Sequence, residues 1–293
     1  MDGKEKNMIR FTKMEALGND YVYIDAIHQK LSCLPELARW ISDRHFAVGS
    51  DGMVLICPSA KADFKMRMFN PDGTEGEMCG NALRSVGKYV YDHHLTDKTN
   101  LSIETPAGIR HLSLSVSGKT VKNIRADMGE PEFRASVIPI RTEKQCFIGQ
   151  AVPVLGQHFL MTALSWGNPH VVVFVNNVEK LDIKTYGYAI EHMTELFPQK
   201  INVTFAQYGE YGSVKIREWE RGTGETISCG TGCCSAVAAG VLQGCAGRNS
   251  AVWQPGGTLY AEWDEKTNHM FLNGPSRTIF EANIEIPAFT ADS

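Results

Sequence analysis

Two cysteines that each precede a glycine, Cys79-Gly80 and Cys229-Gly230, lie 150 residues apart in frames that repeat one another. The first frame is Phe64-Lys65-Met66-Arg67-Met68-Phe69-Asn70-Pro71-Asp72-Gly73-Thr74-Glu75-Gly76-Glu77-Met78-Cys79-Gly80. The second is Val214-Lys215-Ile216-Arg217-Glu218-Trp219-Glu220-Arg221-Gly222-Thr223-Gly224-Glu225-Thr226-Ile227-Ser228-Cys229-Gly230. Lys65/Lys215, Arg67/Arg217, Glu75/Glu225, Cys79/Cys229 and Gly80/Gly230 are identical at that one offset. A thiolate is a base and a thiol an acid. Two thiols in equivalent settings, facing each other across a cleft, can take a proton from one side of a carbon and return one from the other.

Each cysteine stands where a strand and loop hand over to a helix. The helices are expected over Ala82–Tyr91 and Cys233–Leu242. A helix start offers unpaired N–H groups and partial positive charge. That setting lowers a thiol pKa from about 8.5 to roughly 3.5–7.5 and favours anions. Gly80-Asn81 and Gly230-Thr231 let backbone come close to a ligand. Two helix ends on one carboxylate would acidify the adjacent α-proton, because the developing enolate-like charge meets fixed donors. That scheme requires no cofactor.

The repeat breaks its own symmetry where Asn70-Pro71 matches Glu220-Arg221. A site between such halves must tell the ends of its substrate apart, and Arg221 is suited to clamp a remote carboxylate bidentately. Asn19, Asn168 and Asn202 are neutral donors and acceptors. His170 and Glu220 can tune the thiols by charge. Cys233, Cys234 and Cys245 fall on or after an apolar helix and read as packing residues. Cys229-x-x-x-Cys233-Cys234 has no histidine near it in sequence and makes a poor metal signature, so no metal is expected.

The elements around the cysteines follow from periodicity. Ile9–Met14 alternates like a strand, a Gly18-Asn19-Asp20 turn follows, and Tyr21–Ile24 is β-rich. Trp166-Gly167-Asn168-Pro169-His170 and Val171–Val175 echo these at an offset of 149. Leu34–His45 reads as a helix with Pro35 in its first turn. Asp63–Phe69 and Ser213–Trp219 are strands. Short strands fill 101–104, 110–116, 121–128, 158–165, 258–263, 269–273 and 278–286. The second cysteine's helix is apolar nearly all round, so it belongs in the interior. The fold class is α+β: two pseudo-symmetric domains, each a curved mixed or antiparallel sheet around a central helix. Gly129-Glu130-Pro131 punctuates the boundary. Domains are expected over 8–129, completed by a C-terminal strand within 276–288, and over 130–275.

Composition sets the class. The 293 residues are 43% hydrophobic and 21% charged, with a net charge of -4. That is ordinary globular composition. It gives nucleic acid or an anionic membrane no average attraction. No apolar run reaches the roughly 18 residues of a membrane span. Met1–Met8 lacks the apolar core of a signal peptide and reads as a solvated extension. Eight sparse cysteines read as free thiols in a reducing, cytoplasmic compartment.

On these motifs the chain resembles the diaminopimelate epimerase family. The matching stretches are Phe11-Thr12-Lys13-Met14, Leu17-Gly18-Asn19-Asp20, Arg44-His45 and Gly49-Ser50-Asp51-Gly52. They continue through Phe69-Asn70-Pro71-Asp72-Gly73, Glu77-Met78-Cys79-Gly80-Asn81, Asn168-Pro169-His170 and Asn202. Glu220-Arg221-Gly222-Thr223-Gly224-Glu225-Thr226 and Cys229-Gly230-Thr231-Gly232 complete them. The resemblance implies a cofactor-independent epimerase interconverting LL- and meso-diaminopimelate, for lysine and peptidoglycan precursor synthesis. Cys79 and Cys229 would be the acid/base pair. Gly80, Asn81, Gly230 and Thr231 would hold the reacting carboxylate. Asn19, Asn70, Asn168, Asn202, Glu220 and Arg221 would line the rest of the site, with His170 and Glu220 modulating the thiols. It also implies two domains closing over a small-molecule substrate, and a homodimer.

Ala82 departs from the glycine common there in the family, and an ordinary helical φ is expected. Gly52 stands where some relatives carry glutamine, and it contributes no side chain. The alternatives are a related two-cysteine racemase of the histidine, proline or hydroxyproline type, or a redox sensor in which the two thiols form a disulfide.

Overall fold

The computed structural model describes residues 8–76, 78–209 and 212–289. The N-terminal extension expected from the sequence lies almost wholly outside them. Contacts divide the chain into two units. One is the chain up to Ala126 together with the chain from Pro275 onward, and the other is Asp127–Gly274.

In the first unit the order is β1 (Met8–Ala16), β2 (Asn19–Asp25), α1 (Leu34–Ser42), β3 (Met53–Cys57), β4 (Phe64–Phe69) and β5 (Glu75–Gly76). Then come α2 (Gly80–Asp92), β6 (Asn100–Thr105), β7 (Gly108–Ser117) and β8 (Thr120–Gly129). The second unit repeats the plan. It runs β9 (Gln150–Val154), β10 (Gln157–Ser165), β11 (Pro169–Phe174), α3 (Ile183–Glu191), β12 (Asn202–Tyr208), β13 (Val214–Glu220) and β14 (Gly224–Thr226). Next are α4 (Gly230–Leu242), β15 (Asn249–Gln254), β16 (Gly257–Trp263) and β17 (Met270–Gly274). β18 (Arg277–Glu285) returns to the first unit.

Strand pairing makes the repeat explicit. β2 lies parallel to β3 and β4 parallel to β6, while β18–β1, β1–β2, β3–β4, β6–β7 and β7–β8 are antiparallel. In the second unit β11–β12 and β13–β15 are the parallel pairs, and β9–β10, β10–β11, β12–β13, β15–β16 and β16–β17 are antiparallel. β18, from the end of the chain, fills in the first sheet the place that β9 fills in the second.

Each sheet curls round one helix. α2 touches β1, β2 and β7, strands from both ends of its sheet, and α4 touches β10 through β13 and β15 through β17. α4 is buried from Gly232 to Gly240 because its Cys, Ala, Val and Gly side chains leave no polar face. The other faces are covered too. Leu37 and Ile41 of α1 pack on Ile9, Phe11, Val22, Ile24 and Leu55. Ile183 and Ile190 of α3 pack on Val171, Val173, Val203 and Phe205.

Several expectations are corrected. α1 ends at Ser42 instead of His45, because the Asp43 carboxylate accepts from the N–H groups of His45 (2.7 Å) and Phe46 (2.9 Å). A short side chain that caps its own downstream backbone competes with the helix ladder. α3 was not anticipated; Asp182 caps it, accepting from Thr185 N at 3.1 Å. The sequence pattern also leaves β3, β5, β9, β12, β14 and β15 unmarked. Cys245 is exposed and is no packing residue of the core, whereas Cys233 and Cys234 are buried. Ala82 lies inside α2 and is absent from the positive-φ residues, as expected.

Candidate active site

Both cysteines occupy the same structural position. Cys79 is the N-cap of α2 with φ -131° and ψ 122°; Cys229 is the N-cap of α4 with φ -132° and ψ 114°. Both helices are 13 residues long. The first helical bonds run from Leu83 N to Cys79 O (2.9 Å) and from Cys233 N to Cys229 O (3.1 Å). The N–H groups of the residues between precede that ladder, so they point beyond the helix end. The identities flanking each cysteine brace its hairpin. Arg67 grips Glu75 through two bonds of 2.8 Å, and Arg217 Nε donates to Glu225 at 2.7 Å.

Around Cys79 the first unit assembles a network of neutral amides. Cys79 Sγ and Asn81 Nδ2 both approach Asn19 Oδ1, at 3.5 and 3.4 Å. Asn19 Nδ2 donates to Asp51 at 2.8 Å, and Arg44 donates to Asp51 and to Asp20 at 2.8 Å each. Lys13 pairs with Asp20 and donates to the Gly49 carbonyl. Arg84, fully buried on α2, donates to Asn81 Oδ1 at 2.7 Å and fixes that amide with its oxygen inward. Asn70 stands at the turn before β5 and donates to Thr74 Oγ1 at 3.0 Å. Gly52 has φ +152°, and a Cβ there would run into the Phe69 carbonyl and Tyr21. No side chain fits at that position, which accounts for the departure noted in the sequence.

Around Cys229 the second unit is more acidic and more deeply buried. Cys229 Sγ accepts from Gly232 N at 3.4 Å and lies 3.5 Å from Thr231 Oγ1. Asn168 Nδ2 donates to His170 Nε2 (3.1 Å) and Thr231 Oγ1 (3.3 Å), and His170 Nε2 is 2.9 Å from that hydroxyl. His170 Nδ1 faces Glu218 Oε1 at 3.3 Å. One side-chain nitrogen, oxygen or sulfur atom from each of His170, Glu218 and Cys229 lies within 4.8 Å of the other two. Glu218 was not anticipated as a site residue.

Burial dominates the electrostatics here. It pushes the Cys229 thiol well above its ordinary value, and Glu220 and then Glu218 push in the same direction. The expected thiol-lowering effect of the helix start is therefore overridden at Cys229, because desolvation of a thiolate outweighs one N–H donor and a partial dipole. Burial raises Glu218 to about 8, against the smaller opposing pull of Thr204 and Cys229. Burial also lowers His170 to about 4, with Glu220 opposing and Arg221 assisting. At neutral pH this buried cluster is thus a thiol, a neutral imidazole and a largely protonated carboxyl.

The remaining expected residues are Asn202 at the start of β12, Glu220 at the end of β13 and Arg221 in the turn that follows. Arg221 N donates to Asn202 Oδ1 at 2.9 Å, and Asn202 Nδ2 donates to Pro169 O at 2.8 Å. Both ends of the Asn202 amide are thereby engaged with backbone, tying the arginine loop to the start of β11. Arg221 NH1 reaches the Gln199 carbonyl at 3.1 Å. Glu220 accepts from Thr226 Oγ1 at 2.6 Å. Glu191, buried on α3, was missed: it accepts from Trp219 Nε1 (2.8 Å) and Gly222 N (3.0 Å) and so anchors the same loop.

Two repeated α+β units, each with a cysteine at the N-cap of its central helix, make up this isomerase. The family model for diaminopimelate epimerase matches residues 11–134 and 162–279, and the chain belongs to that family. It is 49% identical over 278 residues to the diaminopimelate epimerase of Methanococcus maripaludis strain C5, covering 95% of this chain and 100% of that one. It is 45% identical to the enzyme of that name from Acetivibrio thermocellus, covering 95% and 99%. Solved structures share the fold at much lower identity. A Bacillus anthracis phenazine biosynthesis protein of the PhzF family matches with a TM-score of 0.67 at 19% identity, over 95% of this chain and 99% of that one. A hydroxyproline epimerase from Agrobacterium vitis matches with 0.65 at 12%, over 98% and 93%. Among the described residues no helix is long and apolar enough to cross a membrane.

Proposed function

We propose that this chain interconverts LL- and meso-2,6-diaminopimelate without a cofactor, using Cys79 and Cys229 as a two-base pair. The observation that carries the reading is the equivalent placement of both cysteines as N-caps of the two central helices, in a chain whose family is that of the epimerase. A thiolate on one side removes the α-proton. The electron pair left on carbon spreads into the carboxylate, held by the N–H groups of Gly80, Asn81, Gly230 and Thr231. The thiol on the other side donates its proton to the opposite face. One thiol has gained a proton and the other has lost one, so the pair must exchange protons with solvent before the same direction runs again. The raised Cys229 makes it the protonated partner at rest, and so the donor.

Asn19, Asn70, Asn168, Asn202, Glu220 and Arg221 serve the rest of the substrate in this reading. Arg221 and Glu220 suit the remote amino-acid head, because a guanidinium and a carboxylate match its carboxylate and ammonium. His170, neutral when buried, and Glu220 adjust Cys229. The product serves lysine and peptidoglycan precursor synthesis. The compartment is cytoplasmic, which eight free thiols support, and the assembly is a homodimer, which rests on the family alone; light scattering on a sizing column tests it.

Proton exchange in D₂O, followed by NMR under reducing conditions with no added cofactor, tests the chemistry. Deuterium entering one α-position of LL-diaminopimelate, with meso product appearing, is the expected outcome. Exchange into L-histidine alone would move the substrate to another amino acid, and exchange into neither would end the two-base reading.

A further inference from the structure

The two halves of the repeat differ in one concerted way behind their cysteines. Strand register fixes the equivalences. Val22 pairs with Met53 and Val54 with Met68 in the first unit, where Val171 pairs with Val203 and Thr204 with Glu218 in the second. Tyr21, Val54 and Met68 therefore correspond to His170, Thr204 and Glu218. All six are buried. The Cys79 side has one phenol and two apolar side chains, and the Cys229 side has an imidazole, a hydroxyl and a carboxyl.

This polar set is poorly satisfied. Seven buried side-chain atoms lack a well-formed hydrogen bond among the described residues, and four belong to this cluster: His170 Nδ1, Thr204 Oγ1 and both oxygens of Glu218. Unsatisfied buried polar atoms each cost stability, and the equivalent position tolerates methionine. Packing therefore gives no reason for the carboxyl. The geometry gives one. The Asn168 amide donates to His170 Nε2, so the imidazole proton sits on Nδ1, the nitrogen facing Glu218 Oε1 at 3.3 Å. Glu218 also lies beneath the first turn of α4, where a Cβ on Gly232 would stand 2.7 Å from its Cδ.

We propose that Glu218 is a positioning residue for the Cys229 half-site alone: it faces the Nδ1 proton of His170 and sets a second ionisable group against the Cys229 thiol, distinguishing that thiol from Cys79. The groups facing it are His170 from β11, Thr204 from β12, Cys229 and Gly232 from the start of α4, with Glu220 and Arg221 at the end of its own strand. His170 stays neutral through the neutral range, and Arg221 and Glu220 act on it in opposite senses. When Glu218 ionises, Cys229 must lose its proton beside a negative charge. Without Glu218 that charge is gone and Glu220 is the carboxylate left opposing the thiolate.

This inference takes from the epimerase reading only the reaction that the thiol serves, and its test needs no substrate. Alkylation of each cysteine by iodoacetamide would be followed from pH 6 to 10 by peptide mass spectrometry on the full chain. In Glu218→Gln and in Glu218→Met the midpoint for Cys229 is expected to fall by about one pH unit, while that for Cys79 stays put. The methionine variant keeps the proposal testable if glutamine disturbs the fold. An unmoved Cys229 midpoint in both variants, or equal shifts at both cysteines, would overturn it. Absent α-proton exchange in the unmodified protein would instead remove the epimerase reading and leave this one standing.

Discussion

Glu218 keeps its proton in the folded chain up to about pH 8, yet releases it near the ordinary carboxylate value once unfolded. Its folded pKa is raised, so its contribution to stability is whole below the unfolded value and is lost as pH climbs through about 8. The melting temperature should fall between pH 5 and 8, and fall less in Glu218→Gln; identical slopes would mean the carboxyl ionises freely in place. Glu218→Met should raise stability at pH 8 by about 1–3 kcal/mol, since an apolar residue of similar volume replaces an unsatisfied buried acid. A chain that becomes more stable while its Cys229 titration moves has been carrying the acid for chemistry. The cysteine pair was legible because a repeated frame marks it twice. Glu218 was open to the same reading, since Val214, Ile216 and Glu218 share one parity on β13 and Met68 is the repeat's counterpart. The charged neighbours Arg217 and Glu220 hid that parity.

Glu191 on α3 shows how an element governs residues it never adjoins in sequence. It ties Trp219 and the Gly222 N–H, with Lys200 3.5 Å away, and holds the turn that carries Glu220 and Arg221. Glu191→Ala should loosen that turn and raise KM for diaminopimelate about tenfold with a smaller effect on kcat, because in the proposed reading the turn binds the remote head. Steady-state kinetics decides it, and an unchanged KM would free the turn from this anchor. Gly232→Ala belongs to the same scale. Its Cβ would press on the Glu218 carboxyl, so the first turn of α4 must shift and kcat should drop with the fold intact by circular dichroism. Why α3 and its neighbours stayed hidden is physical. β3 and β12 are covered on both faces, with burial unbroken from Met53 to Ile56 and from Asn202 to Ala206, so they lack the alternation that marks β4 and β13. α3 is short and carries a poor helix former, Gly187, at its centre, where a Cβ would stand 2.6 Å from Trp219.

At the scale of the whole chain, the first unit depends on residues that arrive last. β18 pairs with β1 from Met8↔Glu285 to Glu15↔Arg277. Ala282, Ile284, Ile286 and Phe289 lie against the core that seats α1, and Ser276 Oγ is 2.8 Å from Ser85 Oγ on α2. The second unit gets the equivalent strand locally, from β9. A chain cut after Gly274 would leave β1 with an open edge and uncover the apolar face beneath it, and an unpaired edge both frays and invites association. Hydrogen exchange on that truncation should accelerate in β1, β2 and the start of α2, where Cys79 sits, while β10, β11 and α4 keep their protection. Epimerase turnover should vanish, since the second thiol alone cannot invert a centre. Should β1 and β2 stay as protected as in the full chain, β18 would be an ornament on a self-sufficient sheet. Should protection collapse in both units together, the two would fold as one cooperative body in which the repeat marks ancestry and not independence.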